Sequence, residues 1–304
     1  MIGSGRDPLP IPKKWLDMKT NRIFFLIFFL ILTVAYGVSA QADIISAKDF
    51  MLRMKENPEM VIIDASKAKT YAANHVKGAI FINHMDLYQK ENPIEGLILP
   101  TEELATLFGK AGISENSEIV IYDEGSQKYN TRIYWILKYI GASNVKMLHM
   151  NMDEWAKVRI PLVSTPTELP AAIFTPTVDP TIYADLASVK NAGGCNGSFA
   201  LIDARTSAEF TGTTEDSKGH IPGAINIDYK VFLTETGAFK TEDEIRKIAE
   251  SFGITPDKEV IAYCKTSVRA ASVFVAFKNI LGYEKVKVYD GAYNEWVASN
   301  PVVQ

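Results

Sequence analysis

The sequence predicts an α/β protein built from two tandem copies of one domain, each a mainly parallel sheet flanked by helices, behind an N-terminal signal sequence. Three observations carry this expectation. Short β-branched runs alternate with helical stretches, the pattern of parallel strands joined by crossover helices. The alternation recurs at a fixed offset: Asp123 and Cys264, Gly141 and Gly282, and Trp155 and Trp296 each lie 141 residues apart. A proline-dense stretch, "PLVSTPTELPAAIFTPTVDP", separates the copies; it reads as a semi-rigid linker without regular elements.

Taken from the N-terminus, "IFFLIFFLILTV" at Ile23–Val34 follows Lys19 and Arg22 and precedes the small residues Ser39, Ala40 and Ala42. Basic, apolar and small-residue regions in that order read as a secretory signal over 1–40. The apolar run falls short of the ~20 residues that span a bilayer; an uncleaved membrane anchor is the alternative. Pro8, Pro10 and Pro12 do not suit a signal, and starting at Met18 gives one of usual length. The expectation is an exported, periplasmic protein with no stable membrane partner after cleavage.

The first copy covers 43–160, with strands at Val61–Asp64, Glu118–Tyr122 and Val145–Leu148 and helices in "TEELATLFGKAG" and "YNTRIYWILKYIG". The linker takes 161–180. The second copy, 181–304, repeats the strands at Ala200–Asp203, Glu259–Tyr263 and Val286–Tyr289 and the helices in "TEDEIRKIAESFG" and "VRAASVFVAFKNILG". Gly141 and Gly282 sit where a helix-ending glycine belongs. Asp64 to Asp203 is 139 residues but His75 to His220 is 145, which places a six-residue insertion before the second histidine.

Composition narrows the function. The 304 residues carry a net charge of −4 with no basic tract, so nucleic acid is not an expected partner. The four histidines lack metal-site spacing and no CxxC occurs, so neither a metal nor an organic cofactor is implied. The chemistry concentrates in "VIAYCKTSVRAASVFVAF" at 260–277. Cys264 ends an apolar run, outside the carboxyl end of a strand where ligands of such sheets collect. A helix resumes after Arg269, so unpaired amides and the cations of Lys265 and Arg269 surround the sulfur and favour a nucleophilic thiolate. The plain alternatives are a buried structural cysteine or, in an oxidising compartment, a disulfide with Cys195.

These residues resemble the tandem-domain rhodanese family of thiosulfate and 3-mercaptopyruvate sulfurtransferases, over about residues 45–301. The resemblance rests on "LIDAR…EF…GHIPGAI" at 201–225, on "CKTSVR", and on "VYDGAYNEW" at 288–296. It implies that Cys264 cycles through a persulfide held by Lys265, Thr266, Ser267, Val268 and Arg269. It also implies that Arg205 binds a small anionic sulfur donor, and that Asp203 and His220 organise the surrounding loops. A thiol or a cyanide-like acceptor then removes the sulfur. The alternative for Arg205 is an ion pair with Glu209 at helical spacing, and Lys265 either steers anions or is simply solvated. In the first copy Asp123 stands where Cys264 does, so that copy is expected to wall the pocket only. Cysteine phosphatases of related fold place five residues between Cys and Arg; here there are four, which favours sulfur over phosphate or arsenate. Ser267 replaces the usual loop glycine, a departure that matters if the position needs φ > 0. That departure keeps a non-catalytic binding or redox module as the rival reading.

Overall fold

The computed structural model describes residues 43–192 and 197–304. The signal region over 1–40 and Cys195 lie outside the described residues. Among the described residues are twelve strands: β1 Ile44–Ile45, β2 Val61–Asp64, β3 His75–Val76, β4 Ala79–Phe81, β5 Glu118–Tyr122, β6 Asn144–Leu148, β7 Leu162–Val163, β8 Tyr183–Ala184, β9 Phe199–Asp203, β10 Ile225–Asn226, β11 Glu259–Tyr263 and β12 Val286–Tyr289. Two five-stranded sheets form, ordered β1-β6-β5-β2-β4 and β8-β12-β11-β9-β10. All pairings within both are parallel. The duplication read from the offsets is therefore a duplication of topology, strand for strand.

The middle strands are continuous apolar runs because helices cover both sheet faces. Val61–Asp64 is buried throughout and Glu118–Tyr122 and Glu259–Tyr263 nearly so. Helices begin where their caps say they should: Thr206 with Glu209, and Thr241 with Glu244, close reciprocal capping boxes. The linker departs from expectation at its start. β7 pairs antiparallel with β3, His75 opposite Val163, because the residues between Pro161 and Pro166 keep their amide donors; 164–179 form no element.

The helices that follow the two key loops, Tyr129–Tyr139 and Val268–Phe274, face each other across the domain boundary. Thr131 Oγ1 and Ser272 Oγ are 3.2 Å apart, and both hydroxyls donate to the carbonyl of Gln127. Ile133, Ile136 and Ile140 share one apolar cluster with Val273, Phe274 and Phe277. This common core fixes how the domains face each other, and with it the geometry of the groove between their loops.

Candidate active site

Cys264 follows the last residue of β11, and Tyr263 lies in register with Asp203 at the end of β9. The thiol is free and 0 % exposed. Its carbonyl accepts from Tyr293 N at 2.9 Å, which ties the strand end to the "DGAYNEW" helix. The amides of residues 265–269 find no acceptor within the described residues. They lie at a helix N-terminus, where unpaired N–H groups carry partial positive charge.

The first copy shows what such a loop does with an anion inside it. Asp123 is buried, and its carboxylate accepts from the amides of Gly125, Gln127, Lys128 and Tyr129 at 2.8 to 3.2 Å and from Ser126 Oγ at 2.7 Å. Burial raises its pKa, and those hydrogen bonds oppose the rise. The first loop is a nest filled by its own side chain.

The loops also differ in length. The left-handed residue before each helix is Gln127 (φ 51°), four positions after Asp123, and Ser267 (φ 60°), three positions after Cys264. The second copy regains its lost residue in the π-helical turn Val275–Ile280, which absorbs one extra residue per turn and returns Gly282 to the offset of Gly141. Ser267 thus occupies the φ > 0 position its usual glycine would. Its hydroxyl donates to the Tyr289 carbonyl, so the loop is pinned to the end of β12 in a way glycine could not manage.

The charged residues are arranged in pairs. Arg269 grips Glu209 through two bonds of 2.7 and 2.8 Å. Burial works against the Arg269 charge, but Glu209 and the Cys264 sulfur beside it raise its pKa. Burial likewise opposes the Glu209 charge, yet Arg269 and the Thr206 donors pull its pKa to about 2. Lys265 meets Asp216 at 3.0 Å. Across the boundary, buried Arg132 donates to Asp290 at 2.6 Å and to the Gly96 carbonyl, while Ile98 N donates to the other Asp290 oxygen.

In front of the loop lies a cavity of about 210 Å³, lined by Thr266 and Val268 and by His84, Tyr88, Glu95 and Gly96 of the first copy. Gly96 (φ +99°) admits no side chain: a Cβ there would stand 2.6 Å from the Thr266 Cβ. Burial, reinforced by Arg132 and Lys128, lowers the His84 pKa to about 4, so the ring is neutral at pH 7. Burial pushes the Tyr88 phenol up to about 12 against the pull of Arg132. Its hydroxyl has no partner among the described residues.

Of the residues singled out in the sequence, Lys265, Thr266, Ser267, Val268 and Arg269 form the loop and first helical turn after Cys264, and Arg269 lies beside its sulfur. Arg205 is already engaged on all three guanidinium nitrogens. It is 1 % exposed, held by Asp203 at 2.6 Å, Ser217 Oγ and the Gly219 carbonyl, with Tyr293 3.9 Å beneath it. Its expected rival partner, Glu209, belongs to Arg269 instead. The reason is the insertion before His220, which supplies Ser217 to Arg205 and Asp216 to Lys265, with the Gly219 carbonyl just after it completing the Arg205 contacts. Asp203 therefore anchors Arg205. His220 stacks on Phe210 at 3.6 Å and contacts its carbonyl, as His75 does with Tyr71 at 3.8 Å, a loop-organising arrangement repeated in both copies. Sequence reasoning missed Glu209 as the Arg269 partner, and Arg132, Tyr88 and Gly96 altogether. The signal for Arg132 was there: a charge amid "TRIYWIL" must be buried and paired.

Comparison with known proteins agrees with this geometry. The rhodanese-like domain family matches twice, at residues 46–158 and 185–299. The thiosulfate sulfurtransferase of Azotobacter vinelandii is 31 % identical over 260 residues, covering 83 % of this chain and 93 % of that one. The 3-mercaptopyruvate sulfurtransferase of Escherichia coli K12 is 29 % identical over 265 residues, 82 % and 93 % of the two chains. The crystal structure of SseA from Escherichia coli superposes with a TM-score of 0.75 at 28 % identity, covering 83 % of this chain and 99 % of that one. With two matched domains, a free cysteine in the second loop and a self-filled first loop, the chain belongs to the rhodanese family as a two-domain sulfurtransferase.

Proposed function

We propose that the chain loads the sulfane sulfur of a small donor onto Cys264 as a persulfide and passes it to a thiophilic acceptor. One observation carries the reading: the loop amides after Cys264 have no acceptor among the described residues, whereas the matching amides of the first loop are taken up by the Asp123 carboxylate. The second loop is thus free to hold an anionic outer sulfur where the first holds a carboxylate. Arg269 adds positive charge at the same sulfur. Its grip on Glu209 leaves it unavailable to wrap a phosphate, which supports sulfur chemistry over phosphatase or arsenate chemistry. Burial of Cys264 shields a persulfide from oxidants.

In the first half-reaction the Cys264 thiolate attacks the donor sulfur and the donor remainder departs with the bonding pair; in the second, the acceptor takes the outer sulfur and regenerates the thiolate. Such double displacement gives ping-pong kinetics. Thiosulfate and 3-mercaptopyruvate, the donors in the relatives' names, are the donors to test, with thiols or cyanide as acceptors. The apolar run and small residues before 43 support an exported protein, a proposal that cell fractionation checks. Intact mass before and after each donor tests the main reading: one added sulfur in the wild type and none in Cys264→Ser is expected, and no gain with a free Cys264 overturns it.

A further inference from the structure

The cations around Cys264 are balanced by carboxylates. Arg269 is held by Glu209, Lys265 by Asp216, Arg205 by Asp203 and Arg132 by Asp290. The cavity wall does not tip the balance. Lys90 is paired with Asp86, and His84 is uncharged at pH 7. The Lys128 ammonium sits 4.7 Å over the Tyr129 ring, and the acidic Glu95 is among the residues lining the cavity. A dianion reaching the Cys264 sulfur gives up its hydration and meets, in Arg269, a charge already offset by Glu209. A monoanion loses much less, and the loop amides can serve its sulfur directly.

We infer that the pairing of Arg269 with Glu209 beside Cys264 selects a thiol donor carrying one net negative charge, with 3-mercaptopyruvate as the small-molecule case, over the thiosulfate dianion, and that Glu209 sets the choice. The inference rests on the persulfide reading above. The step balances without an added oxidant or reductant. The Cys264 thiolate bonds to the donor sulfur, the carbon–sulfur bond breaks, and its electron pair leaves with the pyruvate enolate. The enolate takes the proton of the donor thiol to become pyruvate, leaving an anionic Cys264 persulfide. With thiosulfate the sulfur–sulfur bond breaks instead, and sulfite leaves with two charges that the site must accommodate.

The test compares kcat/KM for 3-mercaptopyruvate and for thiosulfate in the wild type, Glu209→Gln and Asp216→Asn. Glutamine preserves the helix-capping contact with Thr206 while removing the charge that cancels Arg269. The wild type is expected to favour 3-mercaptopyruvate by at least about tenfold, since like-charge juxtaposition discriminates strongly in a desolvated site. Glu209→Gln should raise the thiosulfate-to-mercaptopyruvate ratio by about tenfold. Asp216→Asn should raise it by roughly two- to threefold, because Asp216 is 74 % exposed and solvent screens it. Equal use of both donors by the wild type, or an unchanged ratio in both variants, overturns the selectivity. Failure of either donor to load Cys264 overturns instead the persulfide reading beneath it.

Discussion

Replacing Ser267 separates two opposing contributions at the catalytic loop. Its φ of 60° is left-handed, which costs an L-residue with a Cβ roughly 1–2 kcal/mol. Its buried hydroxyl donates to the Tyr289 carbonyl, a bond worth about 1 kcal/mol net. Ser267→Ala keeps the strain and loses the bond, so it should destabilise by about 1 kcal/mol or somewhat more, the Tyr289 carbonyl being left without that donor. Ser267→Gly loses the same bond but relieves the strain, and then gives back roughly 0.4–1 kcal/mol through the larger entropy of a glycine in the unfolded chain. Glycine should therefore be more stable than alanine by about 0.5–1 kcal/mol, the reverse of their usual order in a helix or strand. Urea midpoints of the two variants, compared at matched m-values, read the difference. An alanine variant as stable as the glycine variant would refute the claim that this loop holds a strained residue. In the same pair, slower persulfide formation by glycine than by wild type would show that the Tyr289 tether also positions the loop.

Other expectations follow from the pairings. Arg132→Leu leaves Asp290 buried with only the Ile98 amide, and should cost about 3–5 kcal/mol; a calorimetric midpoint within a degree of wild type would contradict it. Asp123→Ala strips four amides of their acceptor and should destabilise the first domain by about 3 kcal/mol while leaving Cys264 able to accept sulfur, checked by denaturation and intact mass together. Glu209, with its pKa lowered from 4.5 to about 2, contributes stability that is fully present above pH 4.5 and is lost as the pH falls toward 2. His84, lowered from 6.5 to about 4, is protonated more readily when unfolded, so stability also declines from pH 6.5 toward 4. A flat stability profile between pH 6.5 and 3 would count against both.

The duplication was legible because each copy must bury the same sheet, so the same apolar runs return at the same spacing. The position of the nucleophile was legible for a related reason: Cys264 ends a strand buried on both faces, and Asp123 at the matching point cannot carry sulfur. Even the demand for φ > 0 at Ser267 could be framed from the loop, because backbone geometry there is local. Electrostatic roles were not legible. Arg269 meets Glu209 across 60 positions, Lys265 meets Asp216 across 49, and Arg132 meets Asp290 across 158. Arg205 was assigned to the donor because the sequence could not show that the insertion before His220 folds back to occupy its guanidinium. The strands themselves and the loop register follow from hydrophobic periodicity and hydrogen bonding, which act over neighbouring residues, whereas strand order joins segments as far apart as 61–64 and 119–122. The partner of a charge follows from the tertiary fold: Glu209 and Asp216 reach Arg269 and Lys265 only once the second domain has folded, and Asp290 reaches Arg132 only when the shared core around Tyr129–Tyr139 and Val268–Phe274 docks one domain on the other.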